Sequence, residues 1–200
     1  MALAGQFYGE LATTTLAVRC VSHCSADNTY GSNIAILYRR GLRGEDLQNY
    51  VSWCSSIRPL LRAFIEVPGD SIFSYVDIDH TDFRLEHSAT EAMRKLMRFC
   101  PWAITETSAG SYHVHFRFPA GAGRSYIKHT MERLITYAQG DSRALMNHAF
   151  RAPDTINPKN GNTCVVKGFC SRNGCMHGWR AINTHHGKSL SQRETALQQL

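Results

Sequence analysis

The stretch FSYVDIDHTD, residues 73–82, delivers two carboxylates, Asp77 and Asp79, at the end of a run of β-forming residues. Side chains on a strand alternate faces, so these two point the same way while Val76 and Ile78 point into the other layer. Like charges side by side repel and raise one another's pKa unless a cation lies between them. A hard divalent ion such as Mg²⁺ or Mn²⁺, which prefers carboxylate oxygens, is the simplest such cation. The plainer reading is a strand end that exposes two solvated aspartates before a turn, and the Asp-x-Asp pair alone does not separate the two.

Two further stretches bear on that choice. In TETSAGSYHVHFRFP, residues 105–119, Ser111, His113 and His115 share one strand face. Upstream, Glu106 and Ser108 share a face of the strand that pairs with it through a tight Ala109-Gly110 turn, so these polar groups are expected beside the carboxylates. Histidines two apart on a strand suit metal ligation, phosphate binding or a half-exposed sheet surface, and the spacing leaves all three open. In FRAPDTINPKNG, residues 150–161, Arg151 and Lys159 flank a loop preset by Pro153 and Pro158, with Asn157 able to bond the backbone. A rigid loop presenting a guanidinium and an ammonium suits a triphosphate or nucleic-acid phosphate, and the alternative is a surface turn with solvated bases. Asp141, after Gly140, is a further carboxylate arriving from a helix end.

The elements that must position these groups follow from periodicity. Strands are predicted around TTTLAVRCVS and over residues 33–40, 72–78, 102–108, 111–119 and 163–169. Apolar spacing predicts a helix over 45–65 with a break or kink at Pro59, one after a Ser88 cap through residue 99, and one over 126–140 with Gly140 at its C-cap. Residues 141–150 read as short helical or irregular structure, and 189–200 as a weak helix. The order predicts an α+β fold with a mixed or antiparallel sheet and packed helices on one face.

Two hundred residues suffice for one domain with a real core, and no apolar run approaches a membrane span. The start, MALAGQFYGELATTT, lacks a basic n-region and a sustained apolar stretch, so the expectation is a cytoplasmic chain without a signal peptide. Seven cysteines without a regular framework then read as reduced thiols or metal ligands. A net charge of +6 is compatible with a polyanionic partner.

Taken in order, these stretches resemble the archaeo-eukaryotic primase superfamily, in particular small RepB-type plasmid primases and primase-polymerases. The family's Asp-x-Asp strand is matched by Asp77-Ile78-Asp79, its Ser-x-His strand by Ser111-Tyr112-His113, its later aspartate by Asp141, and its Arg-x-Pro-Gly-Thr-x-Asn-x-Lys-like loop by Arg151 to Lys159. Asp154 stands where the family usually has glycine, a substitution tolerated because aspartate adopts the left-handed conformation better than most residues. The match covers residues 72–168; the first seventy resemble nothing nameable.

The resemblance implies an RNA-recognition-like catalytic core over 33–168 within a domain of residues 1–168, followed by a Cys/His-containing tail, 169–200, with a C-terminal helix. It implies a DNA primase or primase-polymerase, a nucleotidyltransferase making primers on single-stranded DNA in plasmid or phage replication. Asp77, Asp79 and Asp141 would bind two Mg²⁺ or Mn²⁺ ions roughly 4 Å apart. Ser111 and His113 would hold the incoming nucleoside triphosphate, and Arg151 and Lys159 would neutralise charge growing in the transition state. No Gly-rich Lys-Ser/Thr phosphate loop is present, so a helicase or replication initiator would be a separate chain.

Two rivals remain. The YHVHF run fits the His-hydrophobic-His site of an HUH-type nicking endonuclease, but Tyr126, followed by Lys128, and Tyr137 both lack the expected lysine spacing, and the aspartate pair is left idle. A non-catalytic single-strand-binding module with Tyr112, Phe116 or Phe118 as stacking platforms is the other. In the tail, Cys164, Cys170, Cys175 and His177, with His185 and His186 as further donors, suggest a zinc site, although their spacing is not that of common zinc modules; free thiols are the alternative.

Overall fold

The computed structural model describes residues 3–11, 16–22, 35–57, 61–68, 71–79, 89–145, 149–157 and 161–169. Ser88, Pro158, Lys159, Cys170, Cys175, His177, His185, His186 and the helix expected over 189–200 lie outside that set.

Two antiparallel four-stranded sheets carry the chain. The first is built from β1 (Leu16–Ser22), β2 (Ala35–Leu42), β3 (Leu61–Glu66) and β7 (Ala149–Arg151), in the order β2-β1-β3-β7. The second joins β4 (Phe73–Ile78), β5 (Ala103–Ser108), β6 (Ser111–Arg117) and β8 (Val165–Phe169), in the order β4-β6-β5-β8. Helices α3 (Ala89–Met97) and α4 (Arg124–Ala138) cover one face of the second sheet. There Val76, Ile78, Val114 and Phe116, none of them exposed, meet Leu96, Met131, Leu134 and Ile135. The run β4-α3-β5-β6-α4 is the α+β, RNA-recognition-like core.

The opposite face of that sheet packs on the first one through a second core. Helix α1 (Leu3–Leu11) buries Ala4, Phe7, Tyr8 and Leu11, a stripe at i, i+3, i+4 and i+7. Its Phe7 ring lies 4.8 Å from Trp102, 5.3 Å from His115 and 5.9 Å from Phe150, wedging between the sheets. Tyr75 ties them directly, its hydroxyl donating to the Ala149 carbonyl at 2.8 Å.

The single helix expected over 45–65 is two elements. Helix α2 (Gly44–Ile57), burying Leu47, Val51 and Cys54, stops before Pro59, which cannot continue a helix without losing a hydrogen bond. Beyond it the period changes to two: Ala63, Ile65 and Val67 are buried while Arg62, Phe64 and Glu66 face the other way. Strand β7, within a segment read as irregular, exists through its pairing with β3, which sets Ile65 against Phe150 and Phe64 against Arg151.

Candidate active site

Strand pairing assembles the site's first half. The β4–β6 ladder sets Asp77 opposite His113, and the imidazole Nε2 lies 3.7 Å from Asp77 Oδ1. Asp79, one residue past the strand, accepts a hydrogen bond from Ser111 Oγ at 3.1 Å. The alternation that aimed both aspartates one way thus meets the Ser-x-His alternation across a single ladder.

Asp141 arrives from the end of α4. The left-handed C-cap is Gln139 (φ 55), not Gly140, and the Gln139 and Gly140 amides donate back to the Thr136 and Ile135 carbonyls. Gly140 serves a different purpose. A Cβ there would lie 2.7 Å from Val76 Cγ1 and 2.9 Å from the Asp77 carbonyl oxygen, so only glycine lets the chain pass against β4. The next amide, Asp141 N–H, donates to that carbonyl at 2.8 Å. Gly140→Ala is therefore expected to cost about 1–3 kcal/mol and to part Asp141 from Asp77. Gly9→Ala, in a helix with open space around the added methyl, should be neutral or stabilising. Urea midpoints of the two variants check both signs.

Behind the carboxylates the environment is dry. Burial, then the neighbouring His115 and Arg151, holds His113 well below the usual imidazole range. His115 is pushed down to about 3 by burial and pairs with Thr105 at 3.0 Å, among Phe7, Phe150 and Trp102. Both rings are neutral at pH 7. Tyr75 lies under His113 at 4.7 Å, and burial, then Asp77 and Asp141, raises its phenol.

Arg151 projects from β7 toward the same place. Burial lowers its pKa, Cys164 and Asp77 oppose that, and Arg62 on β3 adds to the lowering. Burial likewise lowers Arg62. Arg62 Nε and Nη2, Arg151 Nη1 and His113 Nδ1 are covered from solvent with no hydrogen-bond partner among the described residues. Arg62 lies in a segment whose apolar spacing predicts helix, so its sequence context offers no strand face to share with Arg151.

The loop after Arg151 is held by its own backbone. Asp154, at φ 61, adopts the left-handed conformation that its position in the motif demands. Its amide donates to Cys164, whose amide donates to Thr155, each at 2.8 Å. Tyr8 braces the loop from α1 by donating to the Pro153 carbonyl at 2.8 Å. Cys164 is buried, its thiol pushed up to about 12 chiefly by burial, and it donates weakly to the Arg151 carbonyl.

Other expected groups lie elsewhere. Glu106 pairs with Tyr112, not with His113, and so faces away from the carboxylates, bonded to Lys167 at 3.0 Å and to the Gly110 amide. Phe116 and Phe118 are buried in the helix-facing core with Tyr112 packed against them, so that stripe is no stacking platform. His115, buried against Thr105, does not join His113 as an exposed pair. Among the described residues no three metal-ligating side chains already converge on one point, although Asp77, Asp79 and Asp141 share one edge of the second sheet. None of the described helices is long and apolar enough to cross a membrane.

No protein-family model matches the sequence, and no curated protein does. Solved structures do match. The catalytic domain of primase RepB′, crystallised with initiator DNA, aligns over 94% of this chain and 97% of its own, with a TM-score of 0.62 at 12% identity. A second RepB′ structure aligns over 98% of this chain and 67% of its own (TM-score 0.63, 13% identity). The primase-polymerase domain of cyanophage S-2L gives 0.52 over 82% of this chain and 88% of its own, at 16% identity. The chain has an archaeo-eukaryotic primase-type fold.

Proposed function

We propose that the protein is a metal-dependent, template-directed nucleotidyltransferase that makes primers on single-stranded DNA, serving plasmid or phage replication. The observation that carries this reading is the Asp141 amide bonded to the Asp77 carbonyl, which brings a third carboxylate from a distant element to the Asp77/Asp79 edge. The primase fold and the DNA in the RepB′ complex support it.

The donor set fits hard cations: three carboxylates, with the adjoining imidazole neutral and therefore not adding charge. Asp77, Asp79 and Asp141 would hold Mg²⁺ or Mn²⁺, whose chemistry is to acidify an attacking 3′-hydroxyl and neutralise the departing pyrophosphate. Ser111 orients Asp79 through its hydrogen bond. His113, a neutral ring with one N–H to give, would hold an oxygen of the triphosphate beside Asp77. Arg151, with a covered N–H and Asp77 nearby, would take charge developing on the phosphates, a role shared with Lys159 of the same motif. A zinc site using Cys164, Cys170, Cys175 and His177 is a separate, structural proposal.

The test is incorporation of labelled nucleotide on a single-stranded DNA template, with and without divalent ion and with deoxy- or ribonucleoside triphosphates. Product should require both metal and triphosphate. Cleavage of the template with metal alone would select the nicking-enzyme reading. DNA binding with no product under any of these conditions would select the non-catalytic one.

A further inference from the structure

The face of the first sheet that turns away from its core carries an ordered pattern. Register pairs share a face, and one rung crosses all four strands: Arg151 opposite Phe64, Phe64 opposite Arg19, and Arg19 opposite Tyr38. In this register Arg151 stands beside the aromatic Phe64, and Tyr38 stands two strands further on. Arg62 and Arg40 flank the rung one step along their strands on the same face. The opposite face holds the buried Val18, Ala63, Ile65 and Phe150.

These side chains are not filling a core. Tyr38 is 46% exposed, and Arg40 lies over its ring at 5.2 Å while donating to its hydroxyl at 3.0 Å. Arg151 lies 6.0 Å from the Phe64 ring. On this face Glu66, beside Arg40, is the one described carboxylate against Arg40, Arg62 and Arg151. Guanidinium N–H groups that are covered yet unbonded, as on Arg62 and Arg151, are costly unless an acceptor reaches them, and the planar fork matches phosphate.

We infer that this face is a track for single-stranded DNA, with Phe64 and Tyr38 stacking bases and Arg62 and Arg40 holding phosphates, leading over Arg151 to Asp77. Rings set beside cations suit a single strand, whose bases are free to stack, rather than a duplex, whose base faces are hidden. Phe64 and Tyr38 stand two strand spacings apart, about 10 Å, so the two rings hold different bases. The inference rests on the proposed function only for the direction in which the strand leads. Binding to the track needs neither metal nor triphosphate.

The experiment measures binding of a fluorescent oligothymidylate to the full chain, without metal or nucleotide, across a salt series. Tyr38→Leu/Phe64→Leu, which keeps apolar volume, should weaken binding about tenfold per ring. An oligomer of abasic sites should bind wild type and this variant alike. Arg62→Ala should lower the slope of log affinity against log salt by about 0.7. Thermal melts confirm folding. Unchanged oligothymidylate affinity in the leucine double variant overturns the track, as does a wild type that does not bind. Ring-dependent binding in a wild type that incorporates no nucleotide leaves the track standing and removes the polymerising centre instead.

Discussion

Replacing Asp77 and Asp79 together by alanine is expected to abolish the proposed nucleotide incorporation, by a thousandfold or more, equivalent to at least about 4 kcal/mol of transition-state stabilisation. The reason is electrostatic. Both side chains leave one edge of β4 in one direction, with Asp141 bonded to the same stretch of backbone. Without them the neighbourhood keeps neutral His113 and cationic Arg151, and leaves a divalent cation only the Asp141 carboxylate. The fold should survive, since Asp77 is one-third exposed, Asp79 lies at the surface, and their removal relieves like-charge repulsion. Urea unfolding should give a midpoint equal to wild type or higher, and single-turnover incorporation should give no product. Equal product from variant and wild type would remove the proposed centre.

Below about pH 6.5 the protein should lose stability steadily, and His115 is the residue chiefly responsible. Folded, its ring stays neutral down to about pH 3, because burial among aromatic rings disfavours the imidazolium. Unfolded, it takes a proton near pH 6.5. Between those values the unfolded chain binds more protons, so each unit of acidification favours unfolding by about 1.4 kcal/mol for this group. Above about pH 6.5 neither state is protonated and the contribution is flat. His113, also held low, adds in the same direction. Unfolding free energies from urea titrations at pH 7.5, 6, 5 and 4.5 give the slope. His115→Gln, which cannot titrate, should be less stable at pH 7.5 but should lose less on acidification. The same slope in both proteins would place the acid sensitivity elsewhere.

The Asp77–His113 half of the candidate site was legible because its signals are short and local. Alternation along 73–79 is enough to aim Asp77 and Asp79 together, and alternation along 111–115 aligns Ser111 with His113. A tight turn at Gly110 (φ 75) joins β5 to β6, and aspartate's tolerance of left-handed backbone explains Asp154 without reference to any distant residue. Those properties are written in periods of two and in single-residue preferences, which act over a few residues.

Contacts between distant segments decided the remainder. Whether residues 61–66 are helix or strand depends on β1 and β7, which they pair with across large sequence separations. Glu106 turns away from the site because the β5–β6 register sets it against Tyr112, and His115 becomes a core residue because α1 places Phe7 against it. That Asp141 meets Asp77 depends on the space Gly140 leaves beside Val76. The rung Arg151-Phe64-Arg19-Tyr38 draws one residue from each of four strands. Side-chain direction follows from local backbone geometry, whereas partner and register are chosen by which pairing buries the most apolar surface, a property of the whole chain.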